Sequence, residues 1–320
     1  MRRRVSRQSE AELDAAGITD PGLRAAYAES RELNSSHGRT YFLATRLLSP
    51  DRRPAIHALY GFARLADEIV DDLGDGRSAA ARGAALEDLG IDLVSAFSGG
   101  PSTSPVVRAV ADTVRRYGID QRLFSPFLTS MRMDTHVTDY PTSADLDRYV
   151  YGSAAVIGLQ VLPVLGSPDP EAAAPRAATL GVAFQLTNFL RDIGEDLDRD
   201  RVYLPADELA AFGVDRELLQ HCRRTRRTDP RLRRALAHLV ARTRATYRRA
   251  EPGIALLAPE SRDCVRCAFV LYGGILDEIV AADYDVLHHR ARVPKARRLA
   301  VAAPALAHAV WTRKIGKSDR

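Results

Sequence analysis

The amino-acid sequence predicts an all-α protein built as a single domain. Apolar residues recur at helical spacing along most of the chain. The alternation of a half-buried strand is nearly absent, and Asn-Gly hairpin turns do not occur. The breaks between helical stretches are short, the longest flexible-looking one being residues 98–104, so no linker divides the chain into halves.

The elements follow from the breaks. A first helix is expected over about 21–34. Ser49-Pro50, with Asp51 as cap, opens a second at about 52–72. Gly74-Asp75-Gly76 ends it, and a third runs over about 79–97 to Ser98-Gly99-Gly100-Pro101. Helices at about 104–117 and 120–136 precede Tyr140-Pro141. Thr142-Ser143 with Asp145 then caps a long apolar helix at about 143–165. Gly166-Ser167-Pro168 separates it from another at about 170–198. Asp229-Pro230 opens a helix at about 230–250. Pro259 opens one at about 260–288, whose end places His288 and His289 at the C-terminal dipole. A last helix is expected at about 295–312. Residues 1–10 and 313–320 read as flexible basic ends around a domain at 11–312.

Composition narrows the function classes. At 320 residues, 46% hydrophobic and 27% charged, the chain is ordinary globular protein, which excludes disorder and collagen. Three cysteines exclude a disulfide scaffold and suit a reducing compartment. No purely apolar stretch reaches the roughly 18–20 residues of a spanning helix, and Met1-Arg2-Arg3-Arg4 has no apolar core behind it. The expectation is a cytoplasmic protein, soluble or peripheral on the inner membrane surface. Of the net charge of +5, residues 1–7 carry +4 and residues 290–320 carry +8, which leaves −7 on 8–289. A nucleic-acid partner is not expected, because the folded body is acidic and only the ends are basic.

Two segments carry the chemistry. In 56–72, an otherwise apolar helix, Tyr60, Arg64, Asp67 and Asp71 recur at i, i+4, i+7 and i+11. Asp67 and Asp71 stand one turn apart, roughly 6 Å along the axis. Like charges on a buried face repel and cost desolvation, and a bridging divalent cation offsets both. Segment 180–205 repeats the device: Gln185, Asn188, Asp192 and Asp196 fall at i, i+3, i+7 and i+11, flanked by Arg191 and Glu195. Carboxylate and amide oxygens without His or Cys suit a hard ion, Mg2+ or Mn2+, whose remaining positions substrate phosphates fill. Arg64, Arg191, Arg201 and Tyr203 would complete an anion clamp. One Asp-x-x-x-Asp alone is common on solvated helices; two, each with Arg and an amide or Tyr at helical spacing, are not.

Two further segments are open to more than one reading. Residues 149–165 are apolar, with small residues at Gly152, Ser153, Ala154, Ala155 and Gly158 that admit either a neighbouring helix or a ligand chain, and with Tyr149 at the head. Segment 35–43 sets His37, Arg39, Thr40, Tyr41 and Phe42 ahead of an apolar run, which suits a helix start as well as an anion contact. Cys264 and Cys267 lack a matching second pair, so packed thiols are expected and a zinc site is not. Asp277 and Glu278 lack an acid one turn on and are left outside the metal site.

Together these runs resemble the squalene and phytoene synthase family, most closely its bacterial phytoene synthases. ALYGFARLADEIVDD followed by QLTNFLRDIGEDLDRDRVYLP carries the resemblance, with YVYGSAAVIG and HGRTYFLATRLL supporting it, over roughly residues 33–290. The resemblance implies an isoprenoid synthase fold, a helical bundle around a central apolar cavity. It implies head-to-head condensation of two prenyl diphosphates: two geranylgeranyl diphosphates giving phytoene by way of prephytoene diphosphate, or two farnesyl diphosphates in a squalene pathway. It assigns Asp67, Asp71, Asn188, Asp192 and Asp196 to Mg2+. It sets His37, Arg39, Thr40, Tyr41, Tyr60, Arg64, Gln185, Arg191, Arg201 and Tyr203 around the diphosphates. Tyr149 would stand near the reacting carbons and Tyr272 in the cavity. No NADPH is expected, partner enzymes are not identified, and a non-catalytic relative would have lost acids from the stripes. Glu68, Val150 and the order Tyr41-Phe42 depart from the family's usual wording.

Overall fold

Helix caps written into the sequence set most of the architecture. The computed structural model describes residues 7–37, 39–71, 76–304 and 306, without the side chains of residues 39 and 40. The chain opens with α1 (Arg7–Ala15), α2 (Pro21–His37), α3 (Arg39–Thr45) and α4 (Arg53–Asp71). Next come α5 (Ala79–Phe97), α6 (Pro105–Tyr117), α7 (Phe124–Met133), α8 (Ser143–Val150) and α9 (Val156–Leu165). The second half is α10 (Pro170–Asp198), α11 (Ala206–Ala210), α12 (Arg216–Thr225), α13 (Pro230–Ala250) and α14 (Pro259–Ala281), and residues 295–304 are helical. Ser78, Ser104, Thr142, Asp169, Asp215 and Asp229 each accept a first-turn N–H, and Thr142 with Asp145 forms a full capping box. Among the described residues there is no strand, only a single parallel bridge between Asp139 and Val202.

The helices therefore stand close to where the sequence sets them, with four differences. Helices α1 and α12 form where none is expected, over polar stretches with few apolar residues. The helix expected at 143–165 is interrupted by a π turn at Tyr151–Ala155, where the Val156 N–H reaches back to the Tyr151 carbonyl. Helix α14 stops at Ala281, because Asp283 and Tyr284 turn left-handed at φ 51° and 62°. His288 thus caps no helix; its ring lies 2.5 Å from Asp285 Oδ1 and 3.1 Å from the Cys222 carbonyl. Cys222, Cys264 and Cys267 are buried free thiols, as expected.

Two apolar clusters form the interior. One gathers α2, α4, α5, α6 and α7 around Phe62, Phe124 and Phe127; the other gathers α10, α13 and α14 around Leu190, Leu236 and Leu276. Ile56 and Val161 pack against both. By length and composition the run Ser143–Leu165 would reach across a membrane, but more than half of it is buried against its neighbours, as a core helix is. Helices α9 and α10 pass so closely that a Cβ at Gly158 would lie 2.2 Å from the Ala177 carbonyl oxygen, and one at Gly181 2.2 Å from that of Ala154. Between the two clusters lies an apolar cavity of about 350 Å3.

Candidate active site

The cavity runs between α4 and α10, the two helices that carry the acidic stripes. Its apolar wall is made by residues such as Leu59, Ala63, Ile157, Val161, Leu180 and Phe184. At one end its lining becomes polar with Tyr60, Gln185 and Asn188. Beyond that end the stripes continue for two turns, so the carboxylates gather where the greasy space stops.

The two stripes are joined across the gap. Asp71 Oδ1 lies 3.0 Å from Arg201 Nη1 and Asp71 Oδ2 lies 3.1 Å from Arg199 Nη1, which ties the end of α4 to the segment after α10. Arg64 donates to Asp67 at 2.5 Å and to Glu68 at 3.0 Å. Arg191 holds Asp192 with two donors, at 2.6 and 2.7 Å. Arg290, from the segment after α14, holds the same carboxylate at 2.9 Å and Glu195 at 3.0 Å. His37 Nε2 stands 4.0 Å from Glu68, so the end of α2 overhangs the first stripe. Arg39 and Thr40 fall in α3, and their side chains lie outside the described residues.

Each stripe is short of positive charge at one position. Burial, and then the neighbouring Asp71, lift the Asp67 carboxyl to about 6. Burial, and then Asp192, lift Asp196 to about 7. Asn188 donates to Gln185 Oε1 at 3.3 Å, while its own Oδ1 is buried without a partner. Among the described residues no three acidic, His or Cys side chains stand close enough to cage a metal by themselves. An all-oxygen donor set with an orphaned amide oxygen and two electron-rich carboxylates fits a hard divalent cation that takes one or two carboxylates and completes its shell with substrate oxygens.

The expected tyrosines divide. Tyr41 and Tyr60 line the cavity, their ring centroids 6.2 Å apart. Tyr272 stands behind Tyr41 at 4.9 Å and off the lining. Tyr149 and Tyr203 are buried off the lining too: their hydroxyls donate to Asp134, at 2.6 and 2.9 Å. Of the small residues, Ser153, Ala154 and Gly158 face the cavity, so the run serves both readings. Gly152 instead meets Pro126 and Ser130, and Ala155 is buried away from the cavity.

Sequence reasoning did not single out Asp134, Arg199 or Arg290 for the site. Asp134 has no acid at helical spacing, and its partners lie 15 and 69 residues away in the chain. Arg290 sits in what reads as a basic end, 98 residues from Asp192. Only Arg199 carried a signal, being part of the Asp-Arg-Asp-Arg run that closes the second stripe.

Comparison with known proteins bears on this geometry. Residues 35–297 match the family model described as squalene/phytoene synthase. The chain is 39% identical over 286 residues to phytoene synthase 3, chloroplastic, of Zea mays, with 88% of this chain aligned and 65% of the maize protein's length spanned. It is 36% identical to a phytoene synthase of Arthrospira platensis, covering 86% of this chain and 90% of that one. Among solved structures, a dehydrosqualene synthase in complex with ligand superposes with a TM-score of 0.80 at 24% identity, over 89% of this chain and 97% of that one, and so shares the fold. The helical bundle, its apolar cavity and the matched residues lead to one conclusion: the chain belongs to the squalene/phytoene synthase family.

Proposed function

We propose that the chain joins two geranylgeranyl diphosphates head to head into phytoene, by way of prephytoene diphosphate, in carotenoid biosynthesis. The observation that carries this reading is the meeting of two acidic stripes at the polar end of an apolar cavity, in a chain whose curated relatives include named phytoene synthases.

Asp67, Asp71, Asn188, Asp192 and Asp196 would hold Mg2+, with Mn2+ as a substitute. Bound there, the ion would neutralise charge on the departing diphosphate. Arg64, Arg191, Arg201 and Arg290 already face carboxylates at this end. A diphosphate entering between the stripes takes over their donors, and fixed guanidinium groups stabilise the negative charge as the allylic C–O bond breaks. The allylic cation adds to the 2,3 double bond of the second substrate and gives a cyclopropylcarbinyl diphosphate. That intermediate loses its own diphosphate, rearranges and sheds a proton. The apolar wall keeps water from the cations. Burial pushes the Tyr60 hydroxyl up to about 12, which keeps it neutral and makes the released diphosphate the better base. Because proton loss ends the sequence, no NADPH is required. Outside the cavity, the basic ends support contact with an anionic membrane surface.

The test is product analysis by mass and NMR, with purified protein offered C15 and C20 diphosphates, with and without NADPH. Phytoene from the C20 substrate without NADPH is expected. Good turnover of the C15 substrate with hardly any of the C20 substrate would replace this reading with a squalene-pathway synthase.

A further inference from the structure

Asp134 ends α7, and its residue is only 9% exposed. Its Oδ2 accepts from Tyr149 on α8 at 2.6 Å, and its Oδ1 accepts from Tyr203, beyond α10, at 2.9 Å. Its main-chain carbonyl accepts from Arg201 Nη2 at 2.9 Å. The other arm of that guanidinium holds Asp71, 3.0 Å away. Tyr203 in turn lies flat on Phe189, with ring centroids 4.4 Å apart and planes 8° apart, and Phe189 is the neighbour of Asn188. One buried acid thus touches the supports of both stripes.

Such an acid is costly to keep. Burial lifts its carboxyl to about 7, and the two hydroxyls and Arg201 only partly offset this. A core built for stability alone would use an amide or an apolar residue here. A carboxylate differs from an amide in one relevant respect: both of its oxygens accept, so it alone satisfies two tyrosine donors at once.

We propose that Asp134 is a positioning residue that locks the Tyr149 and Tyr203 hydroxyls and the Arg201 guanidinium, and so fixes Asp71 and the Asn188 face for the diphosphate. The proposal rests on the reading of this end as a prenyl diphosphate site.

The experiment compares wild type, Asp134→Asn, Tyr149→Phe/Tyr203→Phe and the triple variant. Steady-state rates are taken with whichever prenyl diphosphate wild type turns over, by diphosphate release with Mg2+. Asp134→Asn is expected to lower kcat at least 10-fold while KM changes less than threefold, with the melting midpoint at pH 8 unchanged or raised. The tyrosine double variant should lose a similar factor, and adding Asp134→Asn to it should cost no more than a further twofold. In the ligand-free protein, amide exchange across 199–204 should quicken at least 10-fold in Asp134→Asn, with α6 unaffected. Unchanged kcat and unchanged exchange would overturn the proposal. So would a full multiplicative loss in the triple variant, or a fall in melting midpoint that accounts for the lost rate. Inactive wild type would refute the diphosphate reading, and the exchange measurement would still decide the role of Asp134 as a clamp.

Discussion

The crossing of α9 over α10 makes a quantitative claim about two glycines. A Cβ at Gly158 would lie 2.2 Å from the Ala177 oxygen and 2.8 Å from its carbonyl carbon, where ordinary contact begins at 3.4 Å. The obstructing atoms are backbone, so no side chain can turn aside, and the helices must part by about 1 Å. Overpacking of this kind costs about 1–3 kcal/mol. Alanine returns at most about 1 kcal/mol of helix propensity over glycine. Gly158→Ala should therefore destabilise by about 1–2 kcal/mol, a fall in melting midpoint of roughly 2–4 °C for a chain of this size. Gly181→Ala should behave alike, since its contact with Ala154 is the same crossing seen from the other helix. Once one alanine has parted the helices, the second has less to push against, so the double variant should lose less than the sum. Gly83→Ala is the control: nothing stands within 4 Å of its Cβ, and it should melt slightly higher. The assay is thermal melting followed by far-UV circular dichroism. If Gly158→Ala melted as high as Gly83→Ala, the helices would not be in backbone contact and the reasoning would fail.

Three further outcomes are expected. Activity should vanish with EDTA and return with Mg2+ or Mn2+, and Asp71→Asn or Asp192→Asn should each cost at least about 10²-fold in rate with the helical signal retained; near-normal turnover by both would sink the metal clamp. Asp196 sits at about 7, above its ordinary 3.8, so its contribution to stability is full below about pH 4 and is lost as pH rises through 7. Asp196→Asn should accordingly raise the melting midpoint at pH 8 and converge on wild type near pH 4, and equal midpoints at pH 8 would contradict this. Replacing Arg2, Arg3, Arg4, Arg313, Lys314 and Lys317 by Gln should weaken co-sedimentation with anionic vesicles, at about 1 kcal/mol per well-placed charge; salt-insensitive binding equal to wild type would exclude the basic ends as the anchor.

Helical faces were legible in the sequence because their information is local. Spacings of three, four and seven residues reveal that Asp67 faces Asp71 and that Asn188 faces Asp192, whatever the rest of the chain does. The acidic stripes, the helices bearing them and the small-residue face of α9 could all be found this way. What joins one helix to another carries no such period. The pairing of Arg290 with Asp192, and of Asp134 with two tyrosines, depends on which ends the fold brings together. Tyr149 illustrates the limit: its helix and burial could be read, but its hydroxyl turns to Asp134 and not to the cavity. The extent of α14 was overread for a related reason, since neither Asp283 nor Tyr284 is a residue that announces a left-handed turn.

The π turn at Tyr151–Ala155 bears on how this stretch of chain can change. A wide turn holds one more residue than regular winding, and each residue sweeps about 100° around the axis. That extra residue lets Tyr149 face Asp134 on one side of the break while Ile157, Gly158 and Val161 face the cavity on the other. Losing any single residue from the segment would restore even winding and swing all of α9 away from the cavity. Substitution here alters one wall position; deletion misaligns every one that follows. The count of residues between Tyr149 and Ile157 is therefore under tighter constraint than their identity.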